Sequence, residues 1–120
     1  MKLEKIKEVL GAEVIVGADD LGKEVKMACG SDLMSDVLAF IKSDSILLTG
    51  LVNPQCVRTA EVAGITAICF ARGKRPPEET ERLAKEKDIV LMSTDLLLYE
   101  SCGKLYKAGL PGCSEYEADF

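Results

Sequence analysis

The stretch DSILLTGLVNPQCVRTAEVAGITAICFA, residues 44–71, decides the architecture. Its outer parts, DSILLTG (44–50) and ITAICFA (65–71), are short, nearly continuous apolar runs, the pattern of strands covered on both faces. Between them NPQCVRTAEVAG (53–64) places Pro54 where the first turn of a helix tolerates proline and Gly64 where a helix ends. A helix joining two buried strands is the crossover that parallel pairing requires.

Downstream the same rhythm repeats. RGKRPP (72–77) reads as a loop, PEETERLAKEKD (77–88) as a charged helix, IVLMST (89–94) as a strand and DLLLYESCGKLYKAG (95–109) as a final helix. Upstream, KLEKIKEVLG (2–11) repeats Leu3, Ile6, Val9 and Leu10 at helical spacing and stops at Gly11. AEVIVG (12–17) is a brief β-branched run and ADDLGK (18–23) a polar turn. KEVKMACG (23–30) is an alternating strand with Val25, Met27 and Cys29 on one face. A second helix over about 32–42 would turn Leu33, Val37, Phe40 and Ile41 inward. Three successive βα units predict an α/β fold, a single three-layer sandwich whose mostly parallel sheet is flanked by helices. No linker divides the chain, so residues 1–110 read as one domain and 111–120 as an acidic, flexible tail.

The totals narrow the function. A chain of 120 residues, 48 % hydrophobic, is long enough for one well-buried core. Its net charge of −5 opposes attraction to phosphate backbones or anionic lipid, so neither a nucleic acid polymer nor a membrane is an expected partner. MKLEKIKEVLG mixes charges among its apolar residues instead of forming a signal-peptide core, and no apolar run approaches a membrane span; the expectation is a cytoplasmic protein. Five scattered cysteines read as reduced thiols.

Much chemistry is missing. Without a histidine there is no Ser/His/Asp or Cys/His nucleophile arrangement, and no CxxC pair offers the usual metal or redox spacing. Neither GxxxxGK[ST] nor GxGxxG occurs. The expectation is therefore no catalytic residue, no metal and no cofactor. Glu78, Glu79 and Glu81 suit the first turns of a helix, where they complement its dipole. Asp32 and Asp36 lie four apart and could face one cation, although Asp32 also fits an N-cap. Cys56, Cys69 and Cys102 read as core packing. Cys29, just before Gly30 at a strand end, is either inert packing or a thiol whose pKa the following helix lowers.

In an open parallel sheet ligands gather at the carboxyl ends of the strands. Those ends carry Thr49, Gly50 and Asn53, then Arg72 and Gly73, then Ser93, Thr94 and Asp95, which form the candidate ligand-binding set. Cys29, Ser31 and Asp32 are secondary candidates. Arg72, Lys74 and Arg75 suit an anion, and the plainer reading is a solvated loop. For Asn53, Thr94 and Asp95 the plainer reading is helix capping.

SDLMSDVLA (31–39), ILLTGLVNP (46–54), AEVAGITAICFARGKRPPEE (60–79) and IVLMSTDLLLYESCGKLY (89–106) together resemble the DRTGG domain family. These small α/β domains are similar to the amino-terminal domain of HPr kinase/phosphorylase and occur as inserts in CBS-domain pyrophosphatases. The Asp-Arg-Thr-Gly-Gly signature itself is degenerate: Gly22 and Lys23 replace Asp-Arg, and Lys26, Met27 and Ala28 replace Thr-Gly-Gly. What the resemblance implies is a non-catalytic regulatory or assembly module, a homodimer that senses a small anionic or nucleotide ligand or docks on a partner enzyme. The competing readings are a purely structural interaction subunit, packing through LLLYESCGKLY (96–106), and, more remotely, a cysteine-dependent enzyme.

Overall fold

The structure is a computed structural model in which residues 1–114 are described. Residues 115–120, most of the acidic tail expected from the sequence, lie outside the described residues.

The strand Ser45–Thr49 (β3) is buried along its whole length, as its unbroken apolar run requires. It lies inside a five-stranded sheet. Met27–Gly30 (β2) pairs with it on one side and Ala67–Phe70 (β4) on the other, both parallel. Val90–Ser93 (β5) continues the parallel set beside β4, and Glu13–Val16 (β1) closes the far edge antiparallel to β5, giving the order β1-β5-β4-β3-β2.

Helices cover both faces. Leu3–Leu10 (α1) and Leu98–Lys107 (α5) pack together on one, where Leu3, Ile6, Leu10 and Leu105 meet Ile46, Leu48, Cys69 and Met92. Met34–Phe40 (α2), Pro54–Ala63 (α3) and Glu78–Glu86 (α4) occupy the other, where Val37, Val57, Ala60 and Ala84 meet Leu47, Ile68, Phe70 and Leu91. Successive strand residues feed opposite cores, the period-two alternation of a pleated sheet. Burying one such Ile or Leu completely contributes about 1.5–3 kcal/mol, so the two clusters supply most of what opposes chain entropy.

Most elements fall within the segments expected from the sequence, and the differences have local causes. α2 begins at Met34, two residues later than expected, and Asp32 does not cap it: the residue at the N-cap is Leu33, with no side-chain cap. Its inward face is also different. Met34 and Val37 are buried, whereas Leu33 and Phe40 are exposed, because a two-turn helix shows the sheet only one residue pair. α5 begins at Leu98, so neither Thr94 nor Asp95 is its cap. Asn53 does cap α3, its Oδ1 accepting from Gln55 N at 3.1 Å. No helix among the described residues is long and apolar enough to cross a membrane.

Candidate functional site

Because β2 to β5 are parallel, their carboxyl ends share one rim of the sheet. There the chain leaves β2 through Ser31 and Asp32, β3 through Gly50, β4 through Arg72 and Gly73, and β5 through Thr94 and Asp95. The exits from β2, β3 and β4 lead to the face of α2, α3 and α4, while the exit from β5 leads to the face of α5. The divergence of paths between β4 and β5 is where an open sheet usually leaves a crevice. Here two backbone bonds bridge it: Arg72 N donates to Leu96 O and Gly73 N to Thr94 O, each at 2.8 Å.

Those bonds hold Arg72 in the left-handed region, φ 62°, where a side chain costs about 1–2 kcal/mol. The bent backbone throws the guanidinium back across the rim, over Gly50. A Cβ on Gly50 would overlap Arg72 Nη2 and stand only 3.1 Å from its Cζ, so a larger residue here would displace the guanidinium from this position. Beyond Gly50 the guanidinium meets Asp32, whose Oδ2 lies 3.7 Å from Arg72 Nη2.

Asp32 is the hub. Its Oδ1 accepts from Gly50 N at 2.6 Å and from Thr49 Oγ1 at 3.1 Å, and Thr49 Oγ1 accepts in turn from Leu51 N at 3.1 Å. One carboxylate thus ties the ends of three adjacent strands together. Both Asp32 and Arg72 remain about half exposed, at 51 % and 47 %, so each keeps hydrogen-bonding capacity directed to solvent. The rim offers a ligand a cation and an acceptor side by side.

The other candidates divide. Gly73 stands beside Asp95, whose Oδ1 would lie 3.0 Å from a Cβ at Gly73. Ser93 and Thr94 are buried and engaged with backbone: Ser93 Oγ donates to Lys74 O and Thr94 Oγ1 to Leu10 O, both at 2.7 Å. They brace the loop after β4 and the end of α1. Ser31 Oγ accepts from Leu33 N at 3.1 Å in a local turn. Of the three basic residues after β4, Arg72 pairs with Asp32 and Arg75 with Glu13 of β1, while Lys74 makes no ion pair among the described residues.

The lowered pKa expected as one reading of Cys29 is overturned. Burial, with the Cys113 and Cys102 thiols nearby, pushes it up to about 11. Cys56 and Cys69 are pushed up to about 12, mainly by burial. Among the described residues no group of three or more His, Cys, Asp or Glu side chains could hold a metal ion, and Asp32 faces Arg72 rather than Asp36.

Sequence reasoning placed the rim but not its centre. Asp32 had a competing explanation as a cap, and nothing in one-dimensional spacing shows that it reaches Gly50 N at the end of the neighbouring strand. The available signal was its offset: it follows β2 by the same few residues by which Arg72 follows β4.

No protein-family model matches the sequence, and no curated protein does. The fold, by contrast, has a solved counterpart. The crystal structure of the CBS and DRTGG domains of the regulatory region of Clostridium perfringens pyrophosphatase, complexed with the activator diadenosine tetraphosphate, matches 98 % of this chain with a TM-score of 0.69 and 17 % identity. The chain spans about half, 51 %, of the length of that structure. Its architecture is therefore DRTGG-like.

Proposed function

We propose that this chain is a non-catalytic regulatory module that senses a small anionic ligand of the nucleotide class at the carboxyl rim of its sheet. The observation that carries the reading is the convergence of Asp32, Gly50, Thr49 and Arg72 from three strand ends, with the carboxylate and the guanidinium both half exposed. A nucleotide presents the complementary pair of groups. Arg72 suits a phosphate oxygen, Lys74 adds an exposed positive charge on the same loop, and Asp32 suits a sugar hydroxyl as acceptor. Activation of the structurally similar regulatory region by diadenosine tetraphosphate makes dinucleotides natural members of the first panel.

Thermal unfolding of the full chain with ATP, ADP, AMP, diadenosine tetraphosphate, acetyl phosphate and inorganic phosphate tests the reading. A ligand at a hundred times its Kd stabilises by about 2.7 kcal/mol, which raises Tm by roughly 10 °C in a domain of this size. Arg72→Gln should abolish the rise while leaving the unliganded Tm within about 4 °C, as expected for an exposed ion pair. A flat response to every compound, or a rise that survives Arg72→Gln, overturns the proposal.

A second reading concerns assembly. Leu97 at the N-cap of α5, with Tyr99 and Tyr106 on the helix, are 55 %, 85 % and 59 % exposed, a cluster that supports self-association as a homodimer through this helix. Leu98 and Leu110 do not add to it, being packed against the core. Light scattering across concentration tests it, and a monomer throughout removes it.

A further inference from the structure

At the open edge of the sheet, beyond β2, the chain returns after α5 and runs alongside. Ala28 N donates to Pro111 O at 2.9 Å, and Ala28 and Gly112 form a parallel bridge. The next residue on each segment is a cysteine: Cys29 follows Ala28, and Cys113 follows Gly112. In a parallel ladder the residues after a bridged pair stand opposite each other and present their side chains on the same face. Cys113 Sγ does lie close by, 3.9 Å from Ala28 O and 3.3 Å from Ser45 Oγ. Both cysteines line one surface cavity of about 470 Å³, and both are partly exposed.

The third nearby thiol is on the wrong side. Cys29 is in register with Leu47, which belongs to the core under α2, α3 and α4. Cys102 packs with the opposite core and lies under Gly30, where a Cβ would stand 2.5 Å from its Sγ. The sheet itself separates Cys102 from Cys29.

We propose that Cys29 and Cys113 are a thiol pair that closes reversibly into a disulfide on exchange with a low-molecular-weight disulfide, clasping residues 110–114 to the edge of β2. In the first step the Cys113 thiolate attacks one sulfur of the reagent, a mixed disulfide forms at Cys113 and one small thiolate departs. Next the Cys29 thiolate attacks Cys113 Sγ, the protein disulfide forms and the second small thiolate departs. Two protein thiols are oxidised, one reagent disulfide is reduced to two thiols, and the two protons lost by the protein go to them. Burial of Cys29, which holds its pKa up at about 11, slows the second step by keeping its thiolate fraction small, and the proximity of Cys113 in the paired segment offsets that cost. The closed form locks in place the segment that already pairs with β2 at Ala28, so that stretch of the edge stays closed to another chain.

The test exposes the reduced, folded full chain to glutathione disulfide, followed by digestion without reductant and mass spectrometry. The expected result is the loss of two of the five thiols and a single cross-linked peptide joining Cys29 to Cys113. Cys29→Ser should stop at a stable glutathione adduct on Cys113, and Cys113→Ser should give no internal disulfide. A persistent adduct on Cys113 in the unsubstituted chain, a cross-link through Cys102, or five unreacted thiols each overturns the proposal. The outcome is independent of whether a nucleotide binds at the rim.

Discussion

Replacing Asp32 separates the rim contact from the helix cap that its sequence position suggests. As a cap, aspartate is nearly equivalent to serine or asparagine, so Asp32→Ser would be close to neutral. The structure gives Asp32 a different load: Gly50 N at 2.6 Å, Thr49 Oγ1 at 3.1 Å and Arg72 Nη2 at 3.7 Å. A serine is too short to reach Gly50 N from the end of β2. Hydrogen bonds to a charged acceptor contribute about 1.5–3 kcal/mol when dry, and at a half-exposed site water recovers part of that, leaving about 1–2 kcal/mol. The exposed ion pair to Arg72 adds about 0–1 kcal/mol. Asp32→Ser and Asp32→Ala should therefore cost the same, about 1–2 kcal/mol, or roughly 4–8 °C in Tm. Asp32→Asn keeps an acceptor in place and should cost less than about 1 kcal/mol. Urea unfolding of the three variants at pH 7 reads these values directly. If Asp32→Ser is within about 0.3 kcal/mol of the parent while Asp32→Ala is not, the residue is a cap and the reasoning about the rim is refuted.

Two further perturbations test the packing beneath the rim. Cys56 and Cys69 are fully buried with pKa values pushed up to about 12, so above the ordinary thiol value of 9.0 the unfolded chain releases protons that the folded chain retains. Stability is then complete below pH 9 and falls as pH rises towards 12, by about 1.4 kcal/mol per pH unit for each thiol. In urea unfolding between pH 8 and 11, the double variant Cys56→Ala/Cys69→Ala should lose stability less steeply, and parallel curves would refute the assignment. Thr94→Val removes the donor to Leu10 O and the acceptor for Leu96 N inside the protein, at a cost of about 1–3 kcal/mol, whereas Thr94→Ser should retain most of the stability. A loss in Thr94→Val no larger than that in Thr94→Ser would refute the assignment of this stability to the hydroxyl.

The parts of the fold legible in the sequence are those that local pattern determines. Residues 45–49, 67–70 and 90–93 are apolar on both faces, so they announce buried parallel strands, and Pro54 and Gly64 mark the ends of α3 by backbone chemistry alone. The inward face of the second helix is read correctly at Val37 and misread at Leu33 and Phe40, because those two offer as good an apolar stripe as Met34; only its seat against α3 chooses between them. Asp32 is a sharper case. Its sequence neighbours promise a cap, yet two donors from β3 and a guanidinium from the loop after β4 compete for the same oxygens. Those partners lie 17 to 18 residues away along β3 and further still at Arg72.

The same logic explains why the rim, and no other part of the sheet, carries the functional reading. The hydroxyls of Ser93 and Thr94 donate to backbone carbonyls, so they fix where the loops sit. Arg72 is held in a strained backbone by Leu96 O, and it spends its guanidinium on an exposed carboxylate worth little to stability. A strained position whose side chain returns so little to the fold is better accounted for by what it presents to solvent. On the proposed reading, Arg72→Gln should lose the nucleotide-induced rise in Tm while leaving the unliganded Tm nearly unchanged.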